Sequence, residues 1–268
     1  MNAPWFDAHN HLQDPRFVPV LESVIAEMVR AGVPRCVVNG TCEDDWPHVA
    51  DLAHRHPDTI IPSFGLHPWK ASARTPDWLD VLVAALDAFP GSSLGECGLD
   101  RWMRDHDLAD QCEVFLAQLA LAADRNLPFS IHCLQAWGPL IDCLRNHPVP
   151  ERGFLLHSYG GSAELVAELA PLGAYFSFSG HFLHPHKEKV RHAFRHVPPG
   201  RLLIESDAPD MLPPPDACEF DLTDAGGKAL NHPGNLPAVA AGLAAVLEIS
   251  GEELRERTTR NFNAFFAH

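Results

Sequence analysis

Three residues near the amino end, Asp7, His9 and His11, alternate along a short apolar run that stops at Gln13-Asp14-Pro15. On a strand, alternation sends every second side chain to one face. Two imidazoles therefore point the same way, with a carboxylate two positions ahead of them. Ring nitrogens held on one rigid element are what a divalent transition metal requires from the first part of its site. His-x-His also arises by chance in a chain with 17 histidines, so the reading needs support from elsewhere.

That support comes from residues that close other apolar runs. His67 stands in Gly65-Leu66-His67-Pro68 and Glu96 in Gly95-Glu96-Cys97-Gly98-Leu99-Asp100, while His132 and His157 end two further runs. Asp207 completes Glu205-Ser206-Asp207. Together with His9 and His11, these residues belong to six different runs.

The elements that must position them follow from periodicity. Eight runs read as strands, at 5–9, 35–40, 60–67, 92–98, 128–132, 153–157, 174–179 and 201–205. Helical patterns lie between and after them, at 19–31, 45–56, 76–89, 108–126, 136–146, 162–171, 185–196 and 235–248. A last helix starts at the cap-like Ser250-Gly251-Glu252-Glu253 and runs to about Phe266. This alternation predicts an α/β fold of the (β/α)8 TIM barrel type, with residues 1–268 as a single domain. In such barrels the active site occupies the C-terminal ends of the strands, the rim to which the six runs bring ligand-type residues. The Pro-rich stretch 209–233 follows the eighth strand and reads as an irregular rim or lid segment.

His9, His11, Glu96, His132, His157 and Asp207 offer six side chains, more than the three protein ligands of a mononuclear catalytic zinc. Two divalent metal ions fit the inventory better. Glu96, central in the set, is the natural bridge between them, and Asp207 is placed to act as general base toward an activated water. Four imidazoles make zinc the leading expectation, with manganese, iron, nickel and magnesium as alternatives. Asp7 is expected to fix the tautomer of a ligand imidazole, the alternative being a turn cap. His67 is expected to face substrate, or else to be a structural histidine beside Pro68. Asp100, Arg101 and Arg104 follow the bridging glutamate and either bring charge to the mouth or form a solvated loop. His181, His184 and His186 form a further cluster, readable as a weaker metal or substrate site or as solvated loop residues. Cys97 and Cys133 adjoin ligand candidates and should point away from them.

Composition narrows the partners. The net charge of −15, from 35 acidic and 20 basic residues, argues against a long footprint on duplex nucleic acid. A nucleic-acid substrate would be gripped at an end, near the metals. No run approaches the ~20 apolar residues of a membrane span, no basic-then-apolar leader precedes the first strand, and a cytoplasmic protein without a membrane partner is expected. The seven cysteines are scattered and never spaced as C-x-x-C, which suggests neither a disulfide framework nor a thiolate zinc site. The Leu236 to Leu247 pattern reads as core packing, so no obligate protein partner is expected.

The motifs resemble those of the TatD family, a branch of the metal-dependent amidohydrolase barrels. The similar pieces are Asp7-Ala8-His9-Asn10-His11, Gly65-Leu66-His67-Pro68, Gly95-Glu96-Cys97-Gly98-Leu99-Asp100, Ile131-His132-Cys133, Leu156-His157-Ser158, Glu205-Ser206-Asp207-Ala208-Pro209, Asn235-Leu236-Pro237 and Thr259-Arg260-Asn261. They span nearly the whole chain in the family's order. The resemblance implies a binuclear hydrolase, with His9, His11 and Asp207 on one metal, His132 and His157 on the other, and Glu96 bridging. It further implies a phosphodiesterase or deoxyribonuclease acting on nucleic acid. The alternatives are a carboxylic ester or amide hydrolase, such as a D-aminoacyl-tRNA deacylase, and a metal-stabilised binding module without turnover. One departure stands out: nuclease-like members resemble His-Ser-Arg after the fifth strand, where this chain has His132-Cys133-Leu134-Gln135. A neutral amide makes a weaker phosphate contact than a guanidinium.

Overall fold

In the computed structural model, which describes residues 4–105 and 107–267, eight strands run parallel in chain order. They are β1 (Phe6–Asn10), β2 (Arg35–Asn39), β3 (Ile60–Phe64), β4 (Ser93–Asp100), β5 (Phe129–Leu134), β6 (Phe154–Leu156), β7 (Ala174–Ser179) and β8 (Leu202–Glu205), each paired with the next. Helices α1 (Leu21–Arg30), α2 (Trp46–Arg55), α3 (Trp78–Ala88), α4 (Leu108–Arg125), α5 (Trp137–Asn146), α6 (Ala163–Leu169), α7 (Glu188–Phe194) and α8 (Leu236–Leu247) alternate with the strands, and α9 (Gly251–Phe266) ends the chain. The (β/α)8 architecture is therefore present. Among the described residues no single helix is long and apolar enough to cross a membrane.

Local chemistry sets several element ends. The Asp107 carboxylate accepts from the Ala109 and Asp110 amides and starts α4, and Asn126 stops it in the left-handed conformation at φ 49°. Ser250 caps α9 through the Glu253 amide. Most helices are one to three residues shorter than their periodic patterns, because the caps and short 3-10 turns take the flanking positions. The 209–233 segment is less irregular than its proline content suggests: a small hairpin, β9 (Leu222–Thr223) with β10 (Ala229–Leu230), folds within it.

The barrel closes between its last and first strands at the very level of the opening histidines. The Asp207 amide donates to the His9 carbonyl at 2.9 Å, and the His11 amide donates to Ala208 at 2.8 Å. Asp7 secures this seam: its carboxylate accepts the Ser206 amide at 2.8 Å and the Ser206 hydroxyl at 2.5 Å. The expectation that Asp7 fixes a ligand imidazole is corrected here, since its partners are Ser206, the Asn10 amide group and the His9 backbone.

The reason is a break in alternation. Between Asp7 and Asn10, β1 advances three residues while β2 advances two, from Cys36 to Val38. One extra residue in a strand is a bulge, which re-aims the side chains beside it. A second bulge lies in β4, where Leu94 to Cys97 opposes Phe129 to Ile131. Gly95 there has φ +149° and lies so close to β5 that an added Cβ would stand 2.8 Å from Ser130. Only glycine fits. The two irregular strands are those that carry His9 and Glu96.

Two apolar layers hold the fold. The larger packs the outer strand faces against the helices. The smaller joins Ala8, Val37, Ile61, Leu155, Tyr175 and Leu203 to Phe262, Phe265 and Phe266 of α9. Phe6 and Tyr175 stand at the starts of their strands and stack on Phe262 and Phe265, at centroid distances of 4.8 and 4.7 Å. Helix α9 thus seals the N-terminal end of the barrel.

Candidate metal centre

At the opposite end, the structure brings His9, His11, His67, Glu96, His132, His157 and Asp207 together. Glu96 is the hub. Its Oε2 faces His9 Nε2 at 3.4 Å and His11 Nε2 at 3.2 Å. Its Oε1 faces His132 Nδ1 at 3.0 Å and His157 Nε2 at 2.7 Å. Asp207 Oδ1 lies on the Oε2 side, 3.6 Å from His11 Nε2 and 3.9 Å from His9 Nε2.

The imidazoles form two pairs. His9 Nε2 and His11 Nε2 stand 3.3 Å apart, and so do His132 Nδ1 and His157 Nε2. Roughly 3.3 Å is the edge of a tetrahedron with bonds of ~2.05 Å, the usual zinc to imidazole length.

The outward nitrogens decide what the inward ones can do. His11 Nδ1 lies 2.8 Å from the Asn39 carbonyl, which only accepts, so Nδ1 carries a proton and Nε2 is the nitrogen turned toward Glu96. His132 Nε2 is likewise held by the Asp100 carboxylate at 2.9 Å, leaving Nδ1 inward. His9 Nδ1 meets the Ser130 hydroxyl at 3.1 Å, and His157 Nδ1 turns toward Glu205 at 3.6 Å. Such partners behind a ligand imidazole orient it and raise its basicity. One nitrogen from each of four imidazoles thus converges on the carboxylate oxygens of Glu96. This donor set of nitrogen and carboxylate oxygen fits a divalent transition metal, which would take the place of the protons on the inward nitrogens.

His67 differs. Its Nδ1 accepts the Trp69 backbone amide at 3.1 Å, so its proton lies on Nε2, which donates toward Glu96 Oε1 at 3.3 Å. Although close enough to be counted with Glu96 and His132 as a metal group, it presents a hydrogen where a ligand needs a lone pair. Glu205 is also near His9 and His157. Its oxygens are occupied by the Ser158 amide and the Ser177 hydroxyl, so it supports His157 from behind.

Burial and neighbouring charge act strongly here. Burial would push the Glu96 carboxyl up, yet His157, His67, His11 and His132 hold it well below the ordinary range. Asp207 is pushed up to about 7, by burial first and then by Glu205 and Glu96, against the opposing pull of His157 and His11. Burial lowers His9 and His67 to about 4. Burial would lower His11 as well, but Glu96 and Asp207 carry it up to about 9.

Other expected residues lie apart. Arg101 and Arg104 are exposed on the loop after β4, at the mouth and outside the cluster. His181, His184 and His186 follow β7 with ring centroids 5.1 to 5.8 Å apart, and His184 Nε2 meets the Leu212 carbonyl at 3.2 Å. Cys97 is buried in the outer core and Cys133 packs against it, both away from the centre. Gln135 is exposed just past β5, with φ 57°. Sequence reasoning missed Asp100, Ser130, Glu205 and the Asn39 carbonyl as partners of the imidazoles. Asp100 and Glu205 carried a signal, each an acid at or just past the end of a strand-like run.

Fold and centre define a class: a parallel barrel whose strand ends hold a histidine and carboxylate centre suited to metal-dependent hydrolysis. Comparison with known proteins agrees. The profile of the family described as TatD related DNase matches residues 6–267. The metal-dependent hydrolase YabD of Bacillus subtilis is 30% identical over 97% of this chain and 98% of its own. The 3'-5' ssDNA/RNA exonuclease TatD of Erwinia tasmaniensis is 28% identical over 97% and 99%. The crystal structure of YjjV, a TatD homologue of Escherichia coli K12, superposes with a TM-score of 0.90 at 26% identity, covering both chains entirely. The chain belongs to the TatD-related DNase family of metal-dependent hydrolases.

Proposed function

We propose that the protein hydrolyses phosphodiester bonds of nucleic acid with two divalent metal ions. His9, His11 and Asp207 would hold one ion, His132 and His157 the other, with one oxygen of Glu96 toward each. Such a pair supplies Lewis acidity to the phosphoryl oxygen and makes water a nucleophile at neutral pH. Asp207 takes the proton of the attacking water, being the carboxylate beside the His9 and His11 pair whose second oxygen has only a long contact, 3.5 Å to the Ser158 hydroxyl. His67, with its proton on Nε2, holds Glu96 and offers a hydrogen bond at the edge of the cluster. Zinc suits four imidazoles best, with manganese, iron, nickel and magnesium as alternatives.

The observation that carries this reading is the division of the imidazoles into two pairs, one about each Glu96 oxygen. The phosphodiester preference draws on the exonuclease relative and on exposed Arg101 and Arg104 at the mouth. The test is a panel of single-stranded oligonucleotides, bis-phosphoesters, carboxylic esters and D-aminoacyl-tRNA, assayed with each metal. Metal-dependent cleavage of oligonucleotides, lost in Asp207→Asn and Glu96→Gln with the fold retained, supports it. Turnover confined to carboxylic esters or aminoacyl-tRNA replaces it with a deacylase, and no turnover at all leaves a metal-stabilised binding module.

A further inference from the structure

Six large apolar side chains are exposed among the described residues. Three of them, Trp69 at 48%, Trp102 at 63% and Leu134 at 39%, lie at the C-terminal ends of β3, β4 and β5, one continuous sector of the rim. The other three, Val18, Val29 and Val81, belong to separate segments. Isolated exposed residues need no explanation, whereas a cluster beside a catalytic mouth does.

The sector is built around Asp100. Its Oδ2 accepts the Trp69 indole N–H at 2.8 Å and faces His132 Nε2 at 2.9 Å, and its Oδ1 accepts the Trp102 backbone amide at 2.6 Å. The Arg101 amide donates to the Leu134 carbonyl at 2.9 Å, which ties the two loops together. Trp69 is thereby fixed with its indole N–H used and much of its surface open. Its ring stands edge-on to His67, at a centroid distance of 5.2 Å, and 6.4 Å from His132. Lys70, Arg101 and Arg104, all exposed, adjoin the two indoles in sequence, and none has an acidic partner among the described residues.

We propose that Trp69 and Trp102 form a stacking platform for the end bases of a single-stranded nucleic acid, whose phosphates are met by Lys70, Arg101 and Arg104. This rests on the phosphodiesterase reading and names its substrate form. Aromatic faces combined with a few cations are how sequence-tolerant single-strand sites work, because every base has a π-face. Bases inside a duplex keep those faces hidden. The chain's net charge of −15 also argues against a long footprint on a duplex, whereas a short strand end needs only this sector. Asp100 couples platform and centre, since one carboxylate positions both the Trp69 ring and the His132 imidazole.

The test measures binding and turnover separately on the full chain. In EDTA, fluorescence anisotropy follows an eight-residue deoxythymidine oligonucleotide and an abasic oligomer of the same length and charge. The wild type binds the base-bearing strand about ten- to hundredfold more tightly. Trp102→Ala, an exposed site, brings that affinity close to the abasic level with an unchanged Tm. Trp69→Phe keeps a ring and keeps a measurable preference for bases. Equal affinity for the two oligomers in the wild type, or full affinity in Trp102→Ala, overturns the platform. A changed association state in Trp102→Ala with unchanged oligonucleotide binding also overturns it, assigning the patch to a second copy of the chain. Turnover with manganese is scored independently: base-dependent binding without cleavage removes only the nuclease reading, and cleavage without base-dependent binding removes only the platform.

Discussion

The two ends of the barrel are built from opposite materials. At the N-terminal end, Phe262, Phe265 and Phe266 of α9 close over Phe6 and Tyr175, and the surrounding strand positions are apolar. At the C-terminal end, seven buried or nearly buried imidazoles and carboxylates crowd together around Glu96. One end is packed apolar surface, and the other is a buried cluster of ionisable side chains. The difference teaches where substitutions act: changes below should alter stability, and changes above should alter metal binding and catalysis.

The largest separation is expected for Asp207→Asn. If Asp207 accepts the water's proton as proposed, its replacement should lower kcat by about a hundred- to ten-thousandfold, with the thermal midpoint of the metal-free protein held or raised. Steady-state kinetics beside calorimetry checks this. Phe265→Ala, at the sealed end, should cost about 3–5 kcal/mol of stability while leaving kcat of the folded fraction unchanged. A fall in kcat for that variant would erase the distinction between the ends. Asp100→Asn removes the charge behind His132 and should weaken metal binding about ten- to hundredfold, seen in competition with a chromogenic chelator. Ser130→Ala deletes a single hydroxyl behind His9 and should change metal affinity or stability by only about 1 kcal/mol.

The same contrast explains what could be read from the sequence. Eight strands and their order followed from periodicity, because strands buried on both faces must be apolar throughout. The convergence of His67, Glu96, His132, His157 and Asp207 followed from their place at strand ends, which a parallel barrel collects on one rim. Asp7 was misassigned because alternation was carried through a bulge that turns its carboxylate to Ser206. The bulges depend on pairing between strands distant in the chain, and Gly95 hints at only one of them. Ser130 and Asn39 reach their imidazoles through the same long-range register, and a backbone carbonyl leaves no trace in composition. The hairpin Leu222–Thr223 with Ala229–Leu230 is too short to show a period within its Pro-rich segment.

The central claim is that Glu96 serves two cations, one through each oxygen. Titration of the metal-free chain with zinc, followed by metal analysis of the dialysed protein, tests it most directly. Two tightly held equivalents per chain are expected in the wild type and one in a His132→Ala, His157→Ala double variant. A single equivalent in the wild type, or none that survives dialysis, would contradict it.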